Sequence, residues 1–186
     1  MATPTTLPAT FVAGQVLTAA QQNALRGAFR VLQVVSTAKT DTFTTTSATF
    51  TAVTGLSATI TPSSTTSKIL IVAMVNFSVS GASNDSASVR LSGGNSSTFV
   101  GDANGANRVR AALYSNNRVD WGVTHSILPG NIVFLDSPAT TSATTYQVEA
   151  RRNAAGTFIL NKAGTDSDSA QFSVTPSSIT VMEISA

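Results

Sequence analysis

Between Lys68 and Val79 the chain reads Lys-Ile-Leu-Ile-Val-Ala-Met-Val-Asn-Phe-Ser-Val, apolar on both sides for most of its length. Side chains alternate between faces in an extended strand, so Ile69, Ile71, Ala73, Val75, Phe77 and Val79 share one face and Leu70, Val72 and Met74 the other. The run is too short to cross a membrane and too rich in β-branched residues to favour a helix. Turn formers bound it, Thr61-Pro62-Ser63-Ser64 before and Gly81-Ala82-Ser83-Asn84-Asp85 after. Such a strand has to be covered twice. A second sheet of the same chain can cover one face; the most economical cover for the other is a further copy of the chain.

At 186 residues and 42% apolar content, the chain can bury one substantial core but not two independent ones. Charged residues are only 11%, less than half the usual share, while Ser and Thr together make up roughly 28%. The polar positions are therefore hydroxyls. Thr suits strands and Ser suits turns, and a surface of this kind meets other proteins without desolvating many charges.

The net charge is +2, and the basic residues are scattered singly apart from Arg108/Arg110 and Arg151/Arg152. Aromatics are 6%, too few to interleave with a basic groove, so nucleic acid is not indicated as a partner. With no Cys, disulfides and thiolate metal sites are excluded. Met1 to Thr10 has no basic n-region and Phe11-Val12-Ala13 is far short of an h-region, so we expect folding in a cytoplasm and no membrane insertion.

Three sections differ in composition. Residues 1–16 form a Thr/Pro-rich arm with Pro4 and Pro8, which reads as an extended tether. Residues 17–30 read as one short helix, with Thr18 and Gln21 in a capping-box pattern and Ala24, Leu25, Ala28 and Phe29 as an apolar stripe. Gly27 weakens that helix by about 1 kcal/mol relative to Ala, so it needs a partner to persist.

From Val31 the period switches to two. The pattern predicts strands at Val31–Ser36, Thr42–Phe50, Val53–Thr61, Lys68–Val79, Ala87–Ser92, Arg108–Tyr114, Gly122–Leu128, Asn131–Asp136, Thr144–Arg152, Thr157–Asn161, Ala170–Val174 and Ser178–Ser185. Turn chemistry separates them, including Gly93-Gly94-Asn95, Asn116-Asn117 and Pro129-Gly130. So many short strands with no fixed repeat give an all-β sandwich, with a jelly roll ahead of an immunoglobulin-like arrangement. The domain division is 1–30 for arm and helix and 31–186 for the sandwich. The expected core is Leu56, Ile60, Ile69, Ile71, Val75, Val89, Leu91, Val148 and Ile179.

Candidate chemistry is sparse. His125 is the single histidine, with Asp120 and Asp136 near it in sequence, but no Gly-x-Ser-x-Gly elbow supports a hydrolase. Asp166-Ser167-Asp168-Ser169 offers two carboxylates, yet lacks the glycine and distal glutamate of a calcium loop and reads as a solvated turn. Paired carboxylates for glycoside cleavage would need a cleft lined with aromatics. Trp121, Tyr114 and Tyr146 could form a sugar-stacking platform, but isolated aromatics in a sandwich more often fill cores or interfaces. Arg108, Arg110 and Arg118 suit a subunit interface better than a ligand site. We therefore assign no catalytic residue, no cofactor and no metal, and expect no enzyme.

The run from Phe11 to Arg26, Phe-Val-Ala-Gly-Gln-Val-Leu-Thr-Ala-Ala-Gln-Gln-Asn-Ala-Leu-Arg, resembles a segment near the start of tailed-phage virion proteins, where an Ala-Gly-x-x-Leu-Thr-Ala phrase leads into a short helix. Val53-Thr54-Gly55-Leu56-Ser57-Ala58-Thr59-Ile60-Thr61-Pro62-Ser63-Ser64, followed by Ser67-Lys68-Ile69-Leu70, is similar to a phrase found in phage tail-fibre, head-fibre and decoration proteins. The resemblance implies a homotrimer with a jelly-roll or tumour-necrosis-factor-like head, held to phage capsid or tail proteins by its N-terminus and located in the virion. Phe11, Val12, Leu17, Leu25 and Phe29 would then be the anchor, and Leu70, Val72 and Met74 the trimer interface. The leading expectation is a capsid decoration protein. Its rival is a tail-fibre or tail-tip adhesin that binds a host-surface glycan through loops 81–86, 93–107 and 115–119.

Overall fold

The computed structural model describes residues 14, 16, 18, 19, 30–81, 85–101, 107–116, 126–153 and 155–185. Almost all of the expected arm and of the expected helix lie outside these residues. Ten strands follow: β1 (Val31–Lys39), β2 (Phe43–Thr45), β3 (Thr51–Ile60), β4 (Lys68–Ser80), β5 (Ser86–Ser92), β6 (Leu113–Asn116), β7 (Leu128–Asp136), β8 (Thr144–Arg152), β9 (Thr157–Leu160) and β10 (Ser177–Ile184).

Their antiparallel ladders nest. β1 pairs with β10, β2 with β9, β3 with β8, β4 with β7 and β5 with β6, as if the chain were one long hairpin. Rolling that hairpin brings β10 and β9 against β4 and β8 against β5. The result is two sheets, β1-β10-β4-β7 extended by β9 and β2, and β3-β8-β5-β6. This nested order is that of a jelly-roll sandwich.

β4 is the strand on which the first sheet is built. One edge pairs with β7 from Ile69 to Phe77; the other pairs with β10 from Lys68 to Met74 and with β9 from Phe77 to Ser80. Where β10 gives way to β9, side chains complete the ladder. The Asn76 N–H donates to Ser177 Oγ at 2.9 Å, Ser177 Oγ donates to Asn161 Oδ1 at 2.6 Å, and Asn161 Nδ2 donates to the Lys39 carbonyl at 2.8 Å. Asn161 ends β9 at φ 66°, a left-handed conformation that Asn tolerates better than most residues.

The core lies between the sheets. Ile69, Ile71, Ala73, Val75, Phe77 and Val79 face inward from β4 and meet Leu56, Ile60, Val89, Leu91 and Val148 from the second sheet. All nine expected core residues are buried. Phe77 stacks on Phe158 with ring centroids 5.5 Å apart, filling the β9 end.

Two buried acids close the other end, in one register row with Ile69 between them: Asp136 on β7 and Glu183 on β10. Asp136 Oδ2 accepts from Tyr146 Oη at 2.6 Å and from the Asn95 N–H at 3.1 Å. Burial first and this carboxylate second push the Tyr146 hydroxyl pKa up. Glu183 accepts from Gln33 Nε2 at 2.6 Å and from the Ser63 N–H and hydroxyl at 2.7 and 2.6 Å. Burial alone would raise its pKa, but these donors and Ser67 outweigh it and hold the carboxyl at about 2.

Several boundaries differ from the sequence reading. The expected strand Thr42–Phe50 shortens to Phe43–Thr45, because the Ser47 N–H donates to Thr45 Oγ1 and Ser47 Oγ accepts from the Thr49 N–H and donates to its carbonyl, in tight hydroxyl turns. Arg108–Tyr114 begins only at Leu113, since Gly101 exchanges bonds with the Ala111 carbonyl and the Arg110 side chain instead. Pro129-Gly130 is no turn but part of β7. β7 is an edge strand, where a Pro without N–H is tolerated, and a Cβ on Gly130 would sit 2.5 Å from Leu113 Cδ1. Ala170–Val174 forms turns rather than a strand, with Phe172 N–H bonded to the Ser169 carbonyl. Residues 122–125 of the expected strand Gly122–Leu128 lie outside the described residues.

Two measurements check this account of the core. Ile71→Ala should cost about 2–5 kcal/mol in denaturant unfolding, because the side chain is fully buried under the opposite sheet. Glu183 binds its proton less tightly folded than unfolded, so its contribution is complete above about pH 4.5 and is lost as pH falls towards 2. Glu183→Gln should cost about 1.5–3 kcal/mol at neutral pH and flatten the loss of stability across that acid window.

Candidate functional site

The outer faces of the two sheets are built from different chemistry. On the second sheet Arg90 Nε meets Glu149 Oε2 at 2.7 Å, and the Arg90 guanidinium lies 4.2 Å above the Phe50 ring. Arg151 approaches the same ring at 5.8 Å, and Thr59 and Thr145 pair through their hydroxyls at 2.7 Å. That face is polar and self-satisfied.

At its centre the outer face of the first sheet is mostly apolar and uncharged, with Lys68 in the next row, its Nζ donating to Ser137 Oγ. Register fixes it as three rows: Leu135, Leu70, Met182, Val34; Val133, Val72, Thr180, Ser36; and Asn131, Met74, Ser178, Ala38. Val34 and Val133 are each 56% exposed, Leu135 55% and Met74 36%. Leu70 and Val72, in the middle, are half-buried by these neighbours. Four strands and three rows span roughly 400 Å² at ordinary strand spacings, the size of patch that on a monomer is often functional.

The structure thus places Leu70, Val72 and Met74 together on this face. It adds Val34, Val133, Leu135 and Met182, which the sequence reading did not single out. Ile132-Val133-Phe134-Leu135 carries the same two-sided apolar signal as β4, and so does Val34-Val35 in β1. Leu32 and Val31 continue exposed apolar surface towards the start of β1.

The remaining candidates are not brought together. The anchor residues Phe11, Val12, Leu17, Leu25 and Phe29 lie outside the described residues, as do Asp120, Trp121, His125 and Arg118. Asp136 is committed to Tyr146. Tyr146 is fully buried in the core while Tyr114 is exposed on β6, so these two rings share no platform. Arg108 and Arg110 are exposed, and Arg110 Nε donates to the Gly101 carbonyl at 2.9 Å. Asp166 forms an ion pair with Lys162 at 2.6 Å while Asp168 is exposed beside it, a solvated turn. Of the proposed recognition loops, residues 82–84, 102–106 and 117–119 lie outside the described residues, and Ser96–Thr98 forms a single 3-10 turn. Among the described residues no helix is long and apolar enough to cross a membrane.

No protein-family model matches the sequence, and no curated protein matches it. A solved structure similar to this chain is that of the infectious bursal disease virus VP2 subviral particle, at 15% identity and a TM-score of 0.32. The match covers 83% of this chain and 37% of that one. A likeness at that level adds nothing to the strand order itself.

Proposed function

We propose that this chain is a non-enzymatic phage virion structural protein, a homotrimeric capsid decoration protein whose subunits meet through the outer face of the β1-β10-β4-β7 sheet. The observation that carries the reading is the contrast between the two outer faces. A neutral apolar surface meets its own copy without like-charge repulsion, whereas the Arg90, Glu149 and Arg151 face is already satisfied in water. The phage context and the three-fold order come from the sequence resemblance at 11–26 and 53–70.

In this reading the sandwich supplies adhesion between subunits and residues 1–30 attach the trimer to the shell. Three arms on one trimer raise the effective concentration of each, so weak individual contacts suffice. The patch is smaller than the roughly 800 Å² per partner of a standard interface, so the surroundings of Val31 and Leu32 and the free edge of β7 contribute as well.

Two variants separate the parts of the proposal. Val133→Asp combined with Leu135→Asp should leave the β-sheet content unchanged, since both side chains are exposed in one subunit, while reducing the mass in solution to a single chain and removing whatever stability association adds. A variant that stays trimeric removes this face from the interface. Deleting residues 2–16 should leave a soluble trimer that no longer occupies virions in a particle-binding assay. Retained occupancy refutes the anchor, and label on the tail rather than the head refutes decoration.

A further inference from the structure

The connection from β9 to β10, residues 161–176, is the longest fully described one, and it carries no helix or strand. Connections of that length are uncommon in a compact domain and are usually functional. Its base is drawn shut. The Thr175 N–H donates to the Asn161 carbonyl at 3.0 Å, the Asn161 N–H donates to the Asn76 carbonyl at 2.8 Å, and Asn161 Nδ2 donates to the carbonyls of Lys39 and Asp41 at 2.8 and 3.0 Å. Ser78 Oγ donates to the Lys162 carbonyl at 2.7 Å. A loop whose ends meet in this way on a rigid strand junction is an Ω-loop, a form that frequently carries function.

The loop does not close on itself. With Thr42 it surrounds an open cleft of about 480 Å³, lined by Lys162, Asp166, Asp168, three serines, Phe172 and Val174. That volume falls among those of small-molecule sites, about 300–1,000 Å³. The lining narrows the class of guest. Lys162 Nζ is matched by Asp166 Oδ2 at 2.6 Å, which leaves the lining a negative balance carried by Asp168, so an anion is repelled. A purely apolar guest would strip water from the carboxylates and hydroxyls without replacing it. Among the described residues no group of three or more His, Cys, Asp or Glu gathers, so a multivalent metal ion lacks its ligands. A neutral guest rich in hydroxyls fits what remains. Carboxylates accept from such hydroxyls, the Lys162 ammonium donates to them, and Ser and Thr side chains do either. The half-buried Phe172 and the exposed Val174 offer apolar surface to the C–H face of a pyranose ring.

We propose that the 161–176 loop and Thr42 form a binding site for a neutral saccharide, with Asp168 and the serine hydroxyls holding sugar hydroxyls and Phe172 packing against the ring. The Lys162–Asp166 pair and the Asn161 anchor keep the loop open and in place, so the guest meets a preformed surface. The site stands apart from the apolar face of the first sheet and does not depend on the proposed function.

The test is saturation-transfer NMR and calorimetric titration of the full chain with the methyl glycosides of glucose, galactose, rhamnose and N-acetylglucosamine, with maltose and lactose, and with N-acetylneuraminic acid and spermidine as charged probes. At least one neutral sugar should bind saturably, with a dissociation constant on the order of 1–10 mM, and neither charged probe should. Tighter binding of a disaccharide than of its methyl monosaccharide assigns the end of a glycan chain, and equal binding assigns a single sugar unit. Ser173→Trp, which fills the cleft from an exposed position, should abolish binding, and Asp168→Ala should weaken it about fivefold or more. Both positions are exposed, so the circular dichroism of either variant should match the wild type. Absence of saturable binding by every neutral sugar would overturn the proposal, as would binding of a charged probe alone. Wild-type affinity in a folded Ser173→Trp variant would also overturn it, since the sugar would then sit elsewhere.

Discussion

β4 has more apolar surface than the described residues of one chain cover. Its inner side chains pack under the second sheet, and its edges are filled by β7, β10 and β9, so its hydrogen bonding is complete within the subunit. Among the described residues, its outer side chains have their row neighbours as cover. Because Val133 and Leu135 on β7 and Val34 on β1 are also apolar, the rows extend the exposed surface instead of closing it. The hydrophobic effect acts on that area as it acts on the core, at roughly 25 cal/mol per Å² removed from water. In the proposed assembly, contact with other copies removes that area from water.

Hydroxyls do in this chain what charges do in most soluble domains. Ser36 and Thr180 pair across strands at 2.8 Å, Ser47 and Ser64 close their own turns, and Ser63 and Ser67 hydrogen-bond the buried, ionised Glu183. Short neutral side chains satisfy the backbone locally and leave no charge to desolvate when a surface is buried. Some of the few charges are matched in pairs, as with Lys39 and Asp41 at 2.8 Å, where the lysine lowers the carboxyl pKa. A composition of this kind suits a subunit that spends its working life in contact with others.

Strand existence was legible wherever apolar alternation was strong, and Thr144–Arg152 was read to the residue. The alternation of β4 also fixed its faces, since one register assigns every second side chain to the core. Other features came from long-range contacts that no local window contains. Pro129-Gly130 has turn composition, yet it extends β7 because Asn76 and Val75 lie opposite. Nothing in the sequence near Ser86 announces Asn153, which lies far along the chain and donates its N–H to the Ser86 carbonyl only because β8 and β5 pair. The outer face was half legible: β4 named its centre, and the flanking apolar pairs in β1 and β7 were visible, but their assembly into one surface needed the strand order.

The central claim is that the β1-β10-β4-β7 outer face is covered only by other copies of this chain. Sedimentation equilibrium of the full-length wild-type protein at micromolar concentration tests it most directly. The account predicts a mass of three chains of 19.1 kDa each that persists on dilution. A single 19.1 kDa species with the same β-sheet content would contradict it.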